Sequence, residues 1–160
     1  MKTVSPSFSQ SLTATKAKPG ARLLIVEDDM IVATYLQETL IRLGYSVVGI
    51  AESGDQALTQ IAAFIPDLIL MDVQIKGEFD GIETAKRVPG HLDIPVIYVS
   101  AHSDDPTLTR AGATIPSGFL IKPVQERLLH ANITTALMRS NLTKSLNQEH
   151  RQLGDFAFCS

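Results

Sequence analysis

Leu23-Leu24-Ile25-Val26-Glu27-Asp28-Asp29 runs four aliphatic side chains straight into three carboxylates. An unbroken aliphatic run, without polar alternation, suits a strand covered on both faces. Four further runs follow: Val47-Val48-Gly49-Ile50, Leu68-Ile69-Leu70-Met71, Val96-Ile97-Tyr98-Val99 and Gly118-Phe119-Leu120-Ile121. Stretches with helical spacing separate them. Asp29 to Leu43 carries Ile31, Tyr35, Leu36, Leu40 and Leu43, and Gly44 is a natural stop. Ser53 can cap a second helix with Ala57, Leu58, Ile61 and Ala62 on one face. Asp80 to Val88, Asp104 to Ala113 and Val124 to Met138 read as the remaining helices. Five alternations of strand and helix predict an α/β fold, a doubly wound parallel sheet with helices on both faces.

Right-handed crossovers leave few strand orders, and the flavodoxin-like order 2-1-3-4-5 is the commonest at this size. The 160 residues are enough for one domain with a real core. The expected division is a flexible tail over 1–20, a domain over 21–139, and a helical extension or tail over 140–160. The tail is mostly Ser, Thr, Lys and Pro, too poor in apolar side chains to offset the entropy of ordering it. Leu142, Leu146 and Leu153 can prolong the fifth helix, with Gly154 expected to end it. A 44% hydrophobic and 19% charged composition fits a soluble globular chain. A net charge of −3 gives no global pull toward DNA or acidic membranes. Cys159 is the only cysteine, so no disulfide forms within the chain and a reducing compartment is the natural setting. No apolar run is long enough to span a bilayer, and the N-terminus lacks the apolar region of a secretory signal. A cytoplasmic location without membrane insertion is therefore expected. No helix-turn-helix is evident, so direct DNA binding is not expected.

Chemistry should sit beyond the carboxyl ends of the strands. Glu27, Asp28 and Asp29 follow the first strand, Asp72 ends the third, Ser100 follows the fourth and Lys122-Pro123 follows the fifth. Taken singly, an Asp after a strand is usually a helix cap or turn residue, and Asp29 suits that role. A lone Lys is ordinarily a solvated charge. Together they differ, because clustered carboxylates repel unless a cation or protons intervene. Mg²⁺ accepts one or two carboxylates together with phosphate oxygens. Lys122 can add a point charge for a phosphoryl oxygen, and Ser100 can donate a hydrogen bond to another. A central carboxylate can attack phosphorus to give an aspartyl-phosphate, a reaction that chiefly needs positioning and charge neutralisation.

Leu24-Ile25-Val26-Glu27-Asp28-Asp29, Leu70-Met71-Asp72, Val99-Ser100-Ala101 and Phe119-Leu120-Ile121-Lys122-Pro123 resemble the signature blocks of response-regulator receiver domains, in order, over about residues 21–138. The resemblance implies that Glu27 and Asp28 hold Mg²⁺, with Asp72 and the backbone carbonyl of Gln74 completing the metal ligands. It implies that Asp72 is the phosphoacceptor, that Lys122 and Ser100 contact the phosphoryl group, and that Phe119 is a switch aromatic. It also implies a cis Lys122-Pro123 bond. Lys76 departs from the family, which usually has proline four residues after the acceptor. The loop from Gln74 to Gly81 is one residue longer than usual and resembles a subgroup reading L-x-G-x-x-D-G-I-E.

The implied donor is a histidine kinase or histidine phosphotransfer protein, and the implied recipient is a downstream protein outside this chain. The protein is expected to assist its own phosphoryl transfer and slow dephosphorylation rather than to be an enzyme. Leu137, Leu142 and Leu146 offer either a weak homodimer seam or one side of a solvated helix. Three other readings compete. A haloacid-dehalogenase-type phosphatase needs a second Asp where Gln74 stands. A flavodoxin needs an anion-accepting loop where Glu27-Asp28-Asp29 stands. A pseudo-receiver would use the fold only for docking.

Overall fold

Both faces of the central strands are apolar, and both are covered. Strands β1 (Arg22–Val26), β2 (Ser46–Ala51), β3 (Leu68–Asp72), β4 (Val96–Ser100) and β5 (Gly118–Ile121) form one sheet in the order β2-β1-β3-β4-β5. Every pairing is parallel. The computed structural model describes residues 20–159, with side chains as far as Arg151. The tail expected over 1–20 lies outside the described residues except for Gly20.

Alternate residues of a strand face opposite ways, so one apolar run feeds two cores. Leu23, Ile25, Leu68, Leu70, Ile97 and Val99 pack with Ala33, Leu36 and Leu40 of α1 (Met30–Arg42) and Leu129, Ile133 and Ala136 of α5 (Glu126–Cys159). Leu24, Val26, Ile69, Met71 and Tyr98 pack instead with Ala57 and Ile61 of α2 (Gly54–Phe64), Ile82 of α3 (Gly81–Arg87) and Ala111 of α4 (Asp105–Gly112). Each large aliphatic side chain so buried contributes about 1.5–3 kcal/mol. A one-residue slip would exchange the two sets, which pins the register.

Local chemistry sets the helix starts. Asp29 Oδ1 accepts from the Ile31 and Val32 amides at 2.9 and 3.4 Å. Ser53 Oγ accepts from Gln56 N at 3.2 Å, and Asp80 Oδ1 from Glu83 N at 2.8 Å. Gly44 follows α1 with φ +94°, a conformation that favours glycine at a helix end.

The fifth helix departs from expectation at both ends. It begins at Glu126, past Pro123, and it runs through Gly154 to Cys159. Glycine in a helix costs about 1 kcal/mol relative to alanine. That is too little to stop a helix already nucleated on the domain, so Gly154 is no terminator. Asn141 to Arg151 are all exposed. Among the described residues, no helix is long and apolar enough to cross a membrane.

Candidate acidic phosphoacceptor site

Parallel pairing delivers the carboxyl ends of the strands to one edge of the sheet. Val26 pairs with Met71, which sets Glu27 beside Asp72. Asp72 pairs with Val99, and Ser100 with Ile121, so Ser100 and Lys122 follow in the same row. Backbone hydrogen bonds lock this row, Glu27 N to Ala51 O at 2.9 Å and Lys122 N to Ser100 O at 2.8 Å.

Glu27, Asp28 and Asp72 each offer a carboxylate oxygen, all within 4.8 Å of one another. Glu27 is 1% exposed and Asp72 5%. Lys122 Nζ donates to Glu27 Oε1 at 2.7 Å and to Asp72 Oδ2 at 2.9 Å. The other oxygens take backbone amides: Asp72 Oδ1 accepts from Gln74 N at 3.0 Å, and Glu27 Oε2 from Asp29 N at 3.3 Å. Burial, helped by the neighbouring Asp72 carboxylate, pushes the Glu27 carboxyl up to about 7 against the opposing pull of Lys122 and the Asp29 amide. Burial also works against the charge on Lys122, yet Glu27 and Asp72 together hold its ammonium above its usual value.

One ammonium cannot balance three carboxylates. A compact cluster of hard oxygen donors with excess negative charge fits a divalent cation such as Mg²⁺. The residues present therefore fit a metal.

Ser100 is buried, and its Oγ accepts from His102 N at 3.0 Å, leaving its own hydroxyl hydrogen to donate. The His102 side chain is exposed. Phe119 stands apart from the acidic cluster. It is half-buried in β5 opposite Tyr98 of β4, with ring centroids 6.4 Å apart. The structure thus gathers Glu27, Asp28, Asp72 and Lys122 directly, with the Gln74 amide on Asp72. Ser100 joins from the adjacent strand, and Phe119 lies one strand further out.

The loop after β3 carries residues to which sequence reading assigned no role. Ser53 bridges to Lys76, Gly77 takes φ +105°, and the Arg87 guanidinium covers the Phe79 ring at 3.7 Å. Gly81 N donates to Val73 O at 2.8 Å, and a Cβ at Gly81 would collide with the Asp72 carbonyl. The available signal was a glycine directly behind a capping Asp, where a close backbone approach is a standard reason for glycine. The Lys122-Pro123 bond is cis, as the resemblance implied.

Comparison with known proteins agrees with this geometry. A match to the response regulator receiver domain covers residues 23–134. The transcriptional regulatory protein AfsQ1 of Streptomyces coelicolor is 35% identical over 117 residues, 73% of this chain and 51% of that protein. The transcriptional regulatory protein PdtaR of Mycobacterium tuberculosis is 30% identical over 143 residues, 89% of this chain and 69% of that protein. The crystal structure of the signal receiver domain of a modulated diguanylate cyclase from Desulfovibrio desulfuricans superposes with a TM-score of 0.72 at 35% identity, covering 76% of this chain and 97% of that one. Against AfsQ1 and the similar Bacillus subtilis protein YrkP, the chain spans about half the relative's length, 51% and 54%. Family match, fold and acidic edge converge: this chain belongs to the receiver-domain family of two-component response regulators.

Proposed function

We propose that the protein accepts a phosphoryl group on Asp72 from a phosphohistidine donor, a histidine kinase or a histidine phosphotransfer protein. The observation that carries this reading is the Lys122 ammonium bonded to both Glu27 and Asp72 within a compact acidic cluster. Asp72 is held on both oxygens, by the Gln74 amide and by Lys122, which fixes the direction its carboxylate presents. A carboxylate oxygen attacks phosphorus, the P–N bond breaks, and the imidazole leaves with the electron pair. Lys122 is then placed to follow the new dianion, and the Ser100 hydroxyl to donate to another of its oxygens. Glu27, Asp28, Asp72 and the Gln74 carbonyl would hold Mg²⁺, which when bound neutralises charge on the phosphoryl oxygens.

Output follows from the same chemistry. Drawing Ser100 toward the dianion frees space beside β5, and Phe119 turns inward. That shifts an existing two-state equilibrium on the face made by α4, β5 and α5, which a partner protein reads. The chain is then an acceptor assisting its own transfer in a cytoplasmic relay, not an enzyme turning over a free substrate. Acetyl phosphate with Mg²⁺ should add one phosphoryl mass to the wild type and none to Asp72→Asn. Equal labelling of the variant refutes the assignment. A folded wild type that no donor labels would favour the docking-module reading instead.

A further inference from the structure

Helix α4 is lightly attached. It buries one residue, Ala111, and its N-cap Asp104 makes no side-chain capping bond. Among the described residues, two polar contacts compensate. Beyond its C-terminus, Thr114 Oγ1 meets the Tyr98 hydroxyl of β4 at 2.7 Å. From within the helix, Arg110 Nη2 donates to Asp80 Oδ2 at 2.8 Å, with Glu83 Oε1 4.0 Å away.

Asp80 serves two helices at once. Its Oδ1 caps α3 through Glu83 N, and its Oδ2 takes Arg110. Its backbone oxygen accepts from Thr84 N at 2.9 Å and from Thr84 Oγ1 at 2.8 Å, so the residue is clamped in place. The next residue, Gly81, lies flush on the Asp72 carbonyl and donates to Val73 O. Arg110 on α4 is therefore one ion pair and one peptide unit from the backbone that carries Asp72.

We propose that Arg110 is a positioning residue. Through Asp80 and Gly81 it couples the placement of α4 to the acceptor's backbone, by a route outside the sheet that uses neither Ser100 nor Phe119. The phosphoryl side of this inference rests on the phosphoacceptor reading above. The mechanical link does not. The pair is made in the arrangement where Lys122 bonds directly to the Asp72 carboxylate. On this coupling the pair loosens when a phosphoryl mimic draws Lys122 off Asp72, so removing the pair lowers the cost of that arrangement and affinity for the mimic rises in step. With side chains 46% and 31% exposed, the pair is a weak one, and its loss should move that affinity by roughly two- to fivefold.

Arg110→Gln removes the donor. Asp80→Asn removes the charge but keeps a cap as good as Asp, so α3 still starts where it does. Two readouts apply. Without any probe, amide resonances of Val73 and Gly81 should shift in Arg110→Gln, and those of Thr109 to Ala111 in Asp80→Asn, with thermal midpoints close to wild type. With Mg²⁺ and beryllofluoride, each variant should bind the mimic roughly two- to fivefold tighter, and the double variant no tighter than either single. Arg110→Lys should restore part of the difference. Unmoved Val73 and Gly81 resonances in Arg110→Gln overturn the link. So does a wild type that binds beryllofluoride no differently from both singles, or a double variant whose effect is the product of the two. A wild type that ignores beryllofluoride sinks the phosphoacceptor reading, and the probe-free resonances still decide the link.

Discussion

Replacing Glu27 by Gln should stabilise the metal-free protein at alkaline pH while weakening its hold on Mg²⁺. The folded carboxyl is raised from 4.5 to about 7, first by burial and then by Asp72. A carboxyl with a folded value above its unfolded value binds more protons in the native state between the two. Its contribution is therefore full below about 4.5 and is lost as pH rises through about 7. At 1.36 kcal/mol per pH unit, that displacement is worth at most about 3 kcal/mol. The neutral amide stands in for the protonated carboxyl at every pH, so Glu27→Gln should gain about 1–3 kcal/mol over wild type at pH 8 in EDTA, and nothing near pH 4.5. The chain has no Trp, so urea unfolding followed by far-UV circular dichroism across a pH series is the assay. Mg²⁺ at a hundredfold excess over its dissociation constant adds about 2.7 kcal/mol to a protein that binds it only when folded. Saturating Mg²⁺ should therefore close or reverse the gap in favour of wild type. A variant equally destabilised at pH 5 and pH 8 in EDTA would refute the reasoning, since it would make Glu27 a packing group rather than a strained charge.

Other substitutions separate the remaining roles. Lys122→Met leaves Glu27 and Asp72 without their shared ammonium and should cost about 3–5 kcal/mol in EDTA at pH 8, read by the same urea titration, with most of it recovered below pH 5. Gly81→Ala drives a methyl into the Asp72 carbonyl, where backbone cannot yield, and should cost about 2–3 kcal/mol by urea midpoint and slow labelling by acetyl phosphate. Asp29→Ala should cost about 1 kcal/mol through the lost α1 cap while Mg²⁺ affinity, measured by calorimetry, stays within about twofold of wild type. A large drop in that affinity would overturn the assignment of Asp29 as a cap alone.

Much of the molecule was legible one segment at a time. Strand runs such as Leu68 to Met71 are unbroken because alternate residues feed different cores, and both cores are apolar. Asp29, Ser53 and Asp80 start helices by bonding amides two or three residues on, which is sequence-local. The acidic edge was legible too, since parallel strands end on one side and Glu27, Asp72, Ser100 and Lys122 sit at those ends. Gly154 misled because a helix-breaking residue acts by a modest local cost, which an established helix overrides.

Local order along the chain thus determined which residues form strands, where helices begin, and which side chains reach the carboxyl edge, because spacing and capping act over a few residues. Tertiary structure decided what those side chains are to one another. Lys122 and Glu27 are 95 residues apart, and Arg110 and Asp80 are 30 apart. No local pattern pairs them. Nor does any local pattern show that the Glu27 carboxyl titrates near neutral pH, because that depends on how far burial and Asp72 outweigh the pull of Lys122, a balance set only when the strands close side by side.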